Sequence, residues 1–182
     1  MQAELIGRVT DYELVQAARA GDEHALERLL SRLADELIPL ASALTAGSAE
    51  ADALVEDTLS RVFERLGQLE RPDAVSAWAR RVMVRRFLDW KRWQRRRREV
   101  RLESVVLVAE PLMRPDLLDL QRELVRLARA ERALVVLRFW EDRTYDECAE
   151  LLGIPVGTVK SRLARLMRKL RISLGGDSDG TN

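Results

Sequence analysis

The residues best suited to chemistry in this sequence are cations near its carboxyl end. Between Gly157 and Arg171 the chain carries six Lys or Arg residues and no Asp or Glu. They are Lys160, Arg162, Arg165, Arg168, Lys169 and Arg171. Cations at this density suit a polyanion, because each phosphate that they neutralise releases a condensed counterion. The segment therefore predicts a surface that binds nucleic acid.

A tight turn precedes this basic segment and predicts how it is held. Thr144 caps a short helix, Ala149 allows a neighbouring helix to approach closely, and Gly153 ends the first helix where the chain turns. Val159 and Leu163 then bury a second helix against the first. This spacing is typical of a DNA-binding helix-turn-helix, whose second helix enters the major groove. The alternative is a helical hairpin with a solvated basic face.

A second basic stretch lies in the middle of the chain. Residues 80–101 hold 11 Lys or Arg residues against Asp89 and Glu99, whereas residues 1–79 hold 7 basic and 15 acidic residues. The asymmetry predicts an acidic first part with a strongly cationic edge, although the net charge of the chain is +1. The run from Arg95 to Arg98 fits either a phosphate-binding strip or a solvated helix end.

The elements that must position these cations are helices. Thr10 and Glu13 predict a capping box, and a second helix should begin near Asp22, with leucines at helical spacing and a kink or boundary at Pro39. A third helix should follow Gly47-Ser48 and end at Gly67. Its apolar face, which we expect to be buried, consists of Leu54, Val55, Leu59, Val62, Phe63 and Leu66.

A loop and a long helix come next. Gly and Pro predict a loop over residues 67–77, and Ser76 is expected to cap a helix that starts near Trp78. The apolar side chains of that helix share one face, which should be core: Ala79, Val82, Met83, Phe87 and Trp90. Trp90 is therefore expected mainly to pack in the core, whereas Trp93, among arginines, is equally suited to stacking on a base.

Together these patterns predict an all-α protein with two small helical domains joined by a linker, the second domain being the helix-turn-helix. The expected division is given by five ranges: a tail at 1–10, a first domain at 11–98, a linker at 99–116, a second domain at 117–172 and a disordered tail at 173–182. The linker carries two prolines and lacks helical periodicity. Its VVLVA run fits either a short strand or a packed segment.

Several function classes find little support in the sequence. The chain has one histidine and one cysteine, Cys148, without a metal-ligand cluster, a phosphate loop or a convergent acid, base and nucleophile pattern. We therefore expect no enzyme, no metal and no cofactor. Cys148 should be a buried apolar residue in a reducing compartment. The first ten residues do not resemble a signal peptide and no apolar run reaches the ~20 residues that span a bilayer, so we expect a cytoplasmic protein without membrane insertion.

Two segments resemble a known family. LVVLRFWEDRTYDECAELLGIPVGTVKSRLARLMRKLR is similar to region 4 of RNA polymerase sigma factors, and ADALVEDTLSRVFERLGQLERPDAVSAWARRVMVRRFLDWKRW is similar to region 2. They stand in the right order with a short linker between them, and together they cover about residues 11–172. The long extra regions of housekeeping sigma factors are missing. The chain thus resembles the extracytoplasmic-function group, group 4 of the sigma-70 family.

The resemblance implies partners and site residues. It implies binding to core RNA polymerase through the third helix, at Asp52, Leu54, Val55, Glu56, Thr58, Arg61 and Val62. It implies that the recognition helix reads the minus-thirty-five promoter element with Thr158, Lys160, Ser161, Arg162 and Arg165. It implies contacts with the minus-ten element and its melted strand from Arg80, Arg81, Arg85, Lys91, Arg92, Trp93, Arg95 and Arg96, and capture of a flipped base by the loop at 67–77. It also implies that Trp78 serves mainly in packing, and it implies an anti-sigma factor as a further partner.

The sequence departs from the family pattern at some of these positions. Arg85 stands where the family commonly has asparagine, so it either alters base preference or adds a phosphate contact. Leu127-Ala128 replaces a usual Leu-Pro pair, and Leu166 replaces a usual alanine.

Two other functions compete with promoter-directed initiation by polymerase. One is a transcription regulator that binds duplex DNA on its own through the helix-turn-helix, and the other is a protein-binding decoy for polymerase or for an anti-sigma factor. Promoter-directed initiation requires two cationic surfaces open to DNA. A single fused globule, with the arginines of residues 80–98 buried or paired internally, would contradict it.

Overall fold

The structure is a computed structural model and describes residues 10–89 and 123–175, with side chains up to residue 171. Its helices are α1 (Asp11–Arg19), α2 (Glu23–Thr45), α3 (Glu50–Arg65), α4 (Val75–Leu88), α5 (Arg129–Val135), α6 (Tyr145–Leu152) and α7 (Val156–Gly175). Short 3-10 turns at Leu66–Gln68 and Pro72–Ala74 connect α3 to α4, and a π-helical turn at Val136–Trp140 extends α5. Within these two ranges the chain contains no strand, which confirms the predicted all-α class.

Some predictions lie outside the described residues. They concern the linker at 99–116, residues 1–9 and 176–182 of the two tails, and the side chains of Trp90, Lys91, Arg92, Trp93, Arg95 and Arg96. Residues 173–175, which were predicted to belong to the disordered tail, are instead the last residues of α7.

Three of the predicted helix starts are present. The Thr10 N–H donates to the Glu13 carboxylate at 2.8 Å, and the Glu13 N–H donates to the Thr10 hydroxyl at 3.3 Å. Thr144 and Glu147 form the same reciprocal box at 2.8 and 3.2 Å. The backbone N–H bonds lower the pKa of both glutamates, because they favour the charged carboxylate. Asp22 caps α2 through the Ala25 N–H at 3.0 Å.

Several predicted boundaries are wrong. Pro39 does not end α2, which continues to Thr45, and Ala46 after it takes a left-handed conformation with φ 54°. Helix α4 begins at Val75 rather than near Trp78, because Pro72 opens a 3-10 turn that runs directly into it. Ser76 therefore lies inside the helix, and its hydroxyl donates to Asp11 at 3.3 Å instead of capping.

The core of the first part of the chain (residues 10–89) is built around one stripe of α2. Leu29, Leu33, Leu37, Leu40 and Leu44 recur at helical spacing and are 0 or 1% exposed. Each such leucine stabilises the fold by about 1.5 to 3 kcal/mol when it leaves water. The stripe packs within one cluster that includes buried side chains of the other three helices: Val15, Leu54, Val62, Met83 and Phe87. Phe63, expected in this core, is instead 56% exposed.

Helix α4 is buried on two sides, which the sequence pattern does not predict. Ala79, Met83 and Phe87 are fully buried as expected, but Val84 is fully buried as well. Val84 lines a small cleft together with Leu137, which belongs to the second part of the chain (residues 123–175). The buried cluster accordingly runs without a break from the first part through α5, α6 and α7. The described residues of the two predicted domains thus share one buried cluster.

Candidate nucleic-acid interface

The turn between α6 and α7 fixes the direction of the recognition helix. Gly153 adopts φ 64° and ψ 36°, a left-handed conformation that a side chain disfavours. The Ile154 N–H donates to the Ala149 carbonyl at 3.1 Å and closes the turn. Beneath it, Cys148 and Val159 are fully buried and Leu163 is 5% exposed. The geometry is that of a helix-turn-helix, and burial raises the pKa of the Cys148 thiol.

The outward face of α7 carries the predicted cations. Lys160, Ser161, Arg162 and Arg165 are exposed, and Thr158 is half-buried, with its carbonyl accepting the Ser161 hydroxyl at 3.1 Å. Leu166 and Leu170 lie on the opposite face and are 2% and 6% exposed. Among the described residues, none of the six cations from Lys160 to Arg171 forms an ion pair with a carboxylate. The helix therefore presents an uncompensated positive surface.

The arginines of α4 are placed differently. The Arg80 guanidinium lies 2.7 Å from the Glu141 carboxylate and 3.8 Å from that of Glu36. Arg81 pairs with Glu150 at 3.2 Å. Arg80 and Arg81, two of the predicted minus-ten ligands, are thus paired with carboxylates. Of these carboxylates, Glu36 belongs to the first part of the chain, and Glu141 and Glu150 belong to the second. Internal pairing of this kind was expected to oppose promoter binding, and here it involves Arg80 and Arg81.

Two other arginines of α4 have different environments. Arg85 is exposed and has no ion pair with any described residue. Arg86, which was not among the predicted ligands, donates to both carboxylate oxygens of Asp57 and ties α4 to α3. The Asp57 carboxylate raises the pKa of Arg86. Of the four arginines of α4, Arg85 is thus accessible, and Arg80, Arg81 and Arg86 are paired with carboxylates.

An open groove of about 400 Å³ lies beside the loop that joins α3 to α4. It is lined by Arg65, Gln68, Leu69, Glu70, Arg71, Ala74, Ala77, Trp78 and Arg81. Trp78 is half-buried, so it packs on the core, as expected, and also contributes a wall of the groove. The volume and the aromatic wall would admit a nucleobase.

Arg19 holds this loop in place and was not identified from the sequence. Its guanidinium donates to the Leu66 carbonyl at 3.0 and 2.8 Å and also to the Leu69 carbonyl. Arg19 therefore joins the end of α1 to the first turn of the groove wall. A lone arginine at the end of a helix carries no sequence signal for such a long-range bond.

The predicted polymerase contacts on α3 fall into two sets. Leu54, Thr58 and Val62 are fully buried and Val55 is 7% exposed, so these side chains support the helix from within. The Thr58 hydroxyl donates to the Leu54 carbonyl at 2.6 Å. Glu56 is exposed, and Asp52 and Arg61 are half-buried, with Arg61 paired to Glu64 at 2.8 Å. The accessible face of α3 thus consists of charges together with Phe63.

Exposed aromatic side chains also mark the second part of the chain. Phe139 is 55%, Trp140 52% and Tyr145 38% exposed. The Arg138 guanidinium lies 5.8 Å from the Phe139 ring and 5.6 Å from the Tyr145 ring. The sequence pattern did not single them out: Phe139 and Trp140 lie in the π-helical turn at Val136–Trp140, which departs from the α-helical register, and Tyr145 begins α6.

A second set of contacts joins the two parts on the other side of α4. The Arg132 guanidinium donates to the Leu44 carbonyl at 3.2 Å, and Arg129 lies 3.6 Å from Glu50 and 5.0 Å from the centre of the Phe87 ring. Burial lowers the pKa of both arginines. Arg132 also donates to three nearby carbonyls, those of Leu124, Val125 and Leu127.

Other kinds of site find no residues in the described ranges. No group of His, Cys, Asp and Glu side chains between residues 10 and 89 or 123 and 175 is arranged to hold a metal ion. No helix in the same ranges is long and apolar enough to cross a bilayer.

Comparison with known proteins identifies the family of both parts. Residues 29–97 match the family model described as Sigma-70 region 2, and residues 117–170 match Sigma-70, region 4. The ECF RNA polymerase sigma factor SigM of Mycobacterium tuberculosis is 33% identical over 174 residues, which cover 95% of this chain and 89% of that protein.

Solved structures show a similar fold. The sigma factor RpoE in complex with the anti-sigma factor NepR from Bartonella quintana matches with a TM-score of 0.61 and 25% identity, over 83% of this chain and 97% of that one. CnrH in complex with the cytosolic domain of CnrY matches with a TM-score of 0.62 and 25% identity, over 92% and 99% of the two chains. With both sigma-70 regions in order, the chain belongs to the sigma-70 family as an RNA polymerase sigma factor of the extracytoplasmic-function type.

Proposed function

We propose that this sigma factor, which directs core RNA polymerase to promoters, reads promoter DNA with two surfaces on different helices. The observation that carries the proposal is the cationic face of α7, which is exposed and unpaired on a helix-turn-helix. Thr158, Lys160, Ser161, Arg162 and Arg165 would meet the minus-thirty-five element in the major groove. A bidentate contact from arginine to a guanine discriminates against other bases, whereas phosphate contacts add affinity that depends on salt.

The first part of the chain would bind the minus-ten element. Opening a duplex costs a few kcal/mol for each unstacked base, so a site for the displaced base must offset that cost. The groove beside Trp78 has the size for such a base, and Arg19 donates to the carbonyl of Leu69 in its wall. Arg85 is available for the strand, together with the predicted ligands beyond residue 89 that lie outside the described residues: Lys91, Arg92, Trp93, Arg95 and Arg96. Arg80 and Arg81 would join them once released from their carboxylates.

Polymerase would dock on the accessible face of α3. The buried members of the predicted set, Leu54, Thr58 and Val62, hold this helix against the core. Asp52, Glu56 and Arg61 would supply its polar contacts, and the exposed Phe63 would supply an apolar one. Apolar anchors ringed by charges are common at the centre of protein interfaces.

The setting and regulation of the protein follow from this role. We propose that it acts in the cytoplasm, where polymerase is found, and that it has no catalytic activity of its own. The similar RpoE was solved with an anti-sigma factor, and a partner of that kind is proposed for this chain too.

Run-off transcription with reconstituted enzyme tests the proposal. The purified chain should confer promoter-specific initiation on core polymerase and should bind duplex promoters poorly when alone. Tight, specific duplex binding without polymerase would favour the rival function as a stand-alone regulator. Failure to initiate specifically on any promoter of a genomic library would contradict the proposal.

A matched pair of variants tests the polymerase surface. Glu56→Arg should weaken core binding and lower initiation on all promoters alike, because it reverses a charge on the docking face. Glu27→Arg, which makes the same change on the exposed side of α2, should not. Equal effects of the two changes would place the docking surface elsewhere.

A further inference from the structure

We propose that Arg19 is a positioning residue for base discrimination in the minus-ten element. Its guanidinium would fix the loop that joins α3 to α4, so that Gln68 and Glu70 meet one displaced base in a constant geometry. The inference rests on the proposed binding of that base in the groove beside Trp78. It adds to that site a residue of α1, which precedes residue 29, where the match with region 2 begins.

The hydrogen bonds of Arg19 give the first observation. The guanidinium donates to the Leu66 carbonyl from two nitrogens, at 3.0 and 2.8 Å, and one of these nitrogens also donates to the Leu69 carbonyl. The donors of a guanidinium lie in one rigid plane, so bonds to two carbonyls fix the position of one carbonyl relative to the other. Arg19 therefore determines the shape of the first turn of the loop.

The position of Leu69 gives the second observation. Leu69 stands between Gln68 and Glu70, and all three residues line the groove. Leu69 is half-buried and packs against the core, whereas Gln68 and Glu70 are exposed. An amide can pair with the edge of adenine, and a carboxylate can accept from the amino group of cytosine. Arg19 therefore binds the backbone between the two groups that are suited to reading a base.

Apolar packing holds the loop on either side of this stretch. Leu66 is 6% exposed, Pro72 is buried, and Val75 is fully buried. The residues between Leu66 and Pro72 are exposed, apart from Leu69. Packing thus fixes the ends of the loop, and Arg19 supplies hydrogen bonds toward its exposed middle.

The other end of α1 is tied to the end of the same loop. The Ser76 hydroxyl donates to the Asp11 carboxylate at 3.3 Å, and Asp11 also accepts from Arg32 of α2. Helix α1 therefore holds the loop near Leu69 through Arg19 and at the start of α4 through Asp11. The residues that line the groove come from α3, the loop and α4, so Arg19 would act on a bound base through the loop.

A loop of fixed shape favours discrimination because contacts with a base depend on geometry. Two hydrogen bonds to one base select it only when both acceptors or donors lie within bonding distance at the same time. A loop released from Arg19 would still form a groove, but its polar groups would adjust to different bases. Loss of Arg19 should therefore weaken discrimination more than it weakens binding.

Base discrimination by the reconstituted holoenzyme tests the inference. The probes are copies of one promoter on which the wild type initiates, with each of the four bases placed in turn at each position of the minus-ten element. At saturating sigma factor, Arg19→Met should lower the ratio between the best and the worst base by about three- to tenfold at one position, the range that one hydrogen bond contributes. The ratios at the other positions should not change. Run-off transcription measures all of them.

Three further variants sharpen the result. The double variant Gln68→Ala/Glu70→Ala removes the groups that Arg19 would position, so it should lower the ratio at the same promoter position. Arg19→Lys keeps the charge and one donor group, so it should give an intermediate ratio. Arg28→Met is the matched control, because it makes the same change at an exposed arginine of α2, and it should leave every ratio unchanged.

Wild-type ratios in an Arg19→Met variant that folds, as judged by circular dichroism, would overturn the inference. An equal loss on all templates would also overturn it, since a purely structural role lowers the active fraction without changing the ratios. A loss at a different position from that of the double variant would do the same. If Arg19→Met does not fold, Arg19→Lys decides in the same assay. Failure of the wild type to initiate specifically is a separate result, and it would refute the proposed function.

Discussion

Helices α4 and α7 both carry a dense row of cations, but in the described structure most cations of α4 are paired with carboxylates and those of α7 are not. On α4, Arg80, Arg81 and Arg86 each have a carboxylate partner, and Arg85 alone among its described arginines has none. On α7 the cations from Lys160 to Arg171 have no such partner within the described residues. The two rows are similar in sequence and differ in the free charge that they present to DNA.

The difference teaches that charge density along a chain does not measure charge available for binding. The acidic residues that neutralise α4 come from α2, α3, α6 and the turn after Trp140, far apart in sequence. Helix α7 is covered by the second part of the chain on one face only, whereas α4 is packed between both parts. Tertiary packing thus determines which cations are free to bind DNA.

The apolar side of α4 should give the largest effect. Phe87 is fully buried and stacks under Arg129, so Phe87→Ala should lower the free energy of unfolding by about 3 to 5 kcal/mol. Phe63→Ala, at an exposed site, should change it by less than about 0.5 kcal/mol. Urea denaturation followed by circular dichroism measures both. Similar losses in the two variants would mean that α4 is not packed between the two parts.

The exposed side of α7 should give the next largest effect. Arg165→Ala should lower initiation from promoters with a matching upstream element by about 5- to 150-fold, the equivalent of ~1 to 3 kcal/mol, if Arg165 contacts a base. Promoters without that element should be affected much less. Run-off transcription on matched templates measures the ratio, and Arg28→Ala on α2 serves as the control. Equal loss on all templates would assign Arg165 to phosphate contacts.

A smaller effect should separate the two kinds of arginine within α4. In the free chain Arg85→Ala should weaken oligothymidylate binding about two- to fivefold and reduce the slope of log affinity against log salt by about 0.7. Arg80→Ala should leave that slope unchanged, because its charge is already neutralised by Glu141. Anisotropy titrations over a salt series give both values. Equal slopes in the two variants would remove the distinction between paired and unpaired arginines.

The smallest effect concerns Cys148, beneath α7. Burial raises its pKa, so in the folded chain the thiol keeps its proton at a pH where the unfolded thiol loses it. Stability should therefore fall slightly as pH rises through the ordinary thiol pKa, because ionisation then favours the unfolded chain. The difference between the wild type and Cys148→Ala, measured by urea denaturation from about pH 7.5 to 9.5, isolates this contribution. A difference that does not change with pH would contradict it.

Local features of this chain were predictable from its sequence because they depend on neighbouring residues. The capping boxes at Thr10 and Thr144 join residues three apart, and the turn at Gly153 requires a left-handed residue at one position. The buried stripe of α2 follows directly from leucine spacing. The cations of α7 are exposed because Val159 and Leu163 determine which face is buried.

Other features depend on distant parts of the chain and carry no local signal. Val84 is buried because α4 meets the second part of the chain, and Phe63 is exposed although it fits an apolar stripe. The partners of Arg19 and Arg80 lie 44 to 61 residues away in sequence. The loop at 67–77 was predicted without its two 3-10 turns, because Pro72 can open a turn or simply interrupt a helix.

Arg132 shapes the way in which the two parts can separate. Of its acceptors, the carbonyls of Leu124, Val125 and Leu127 lie on its own side of the boundary, and the Leu44 carbonyl alone lies on the other. Separation of the two parts would therefore break the hydrogen bond to Leu44, and the guanidinium would keep its bonds to the other three carbonyls. Arg132 would thus hold the residues that precede α5 in place whether or not α5 contacts α2.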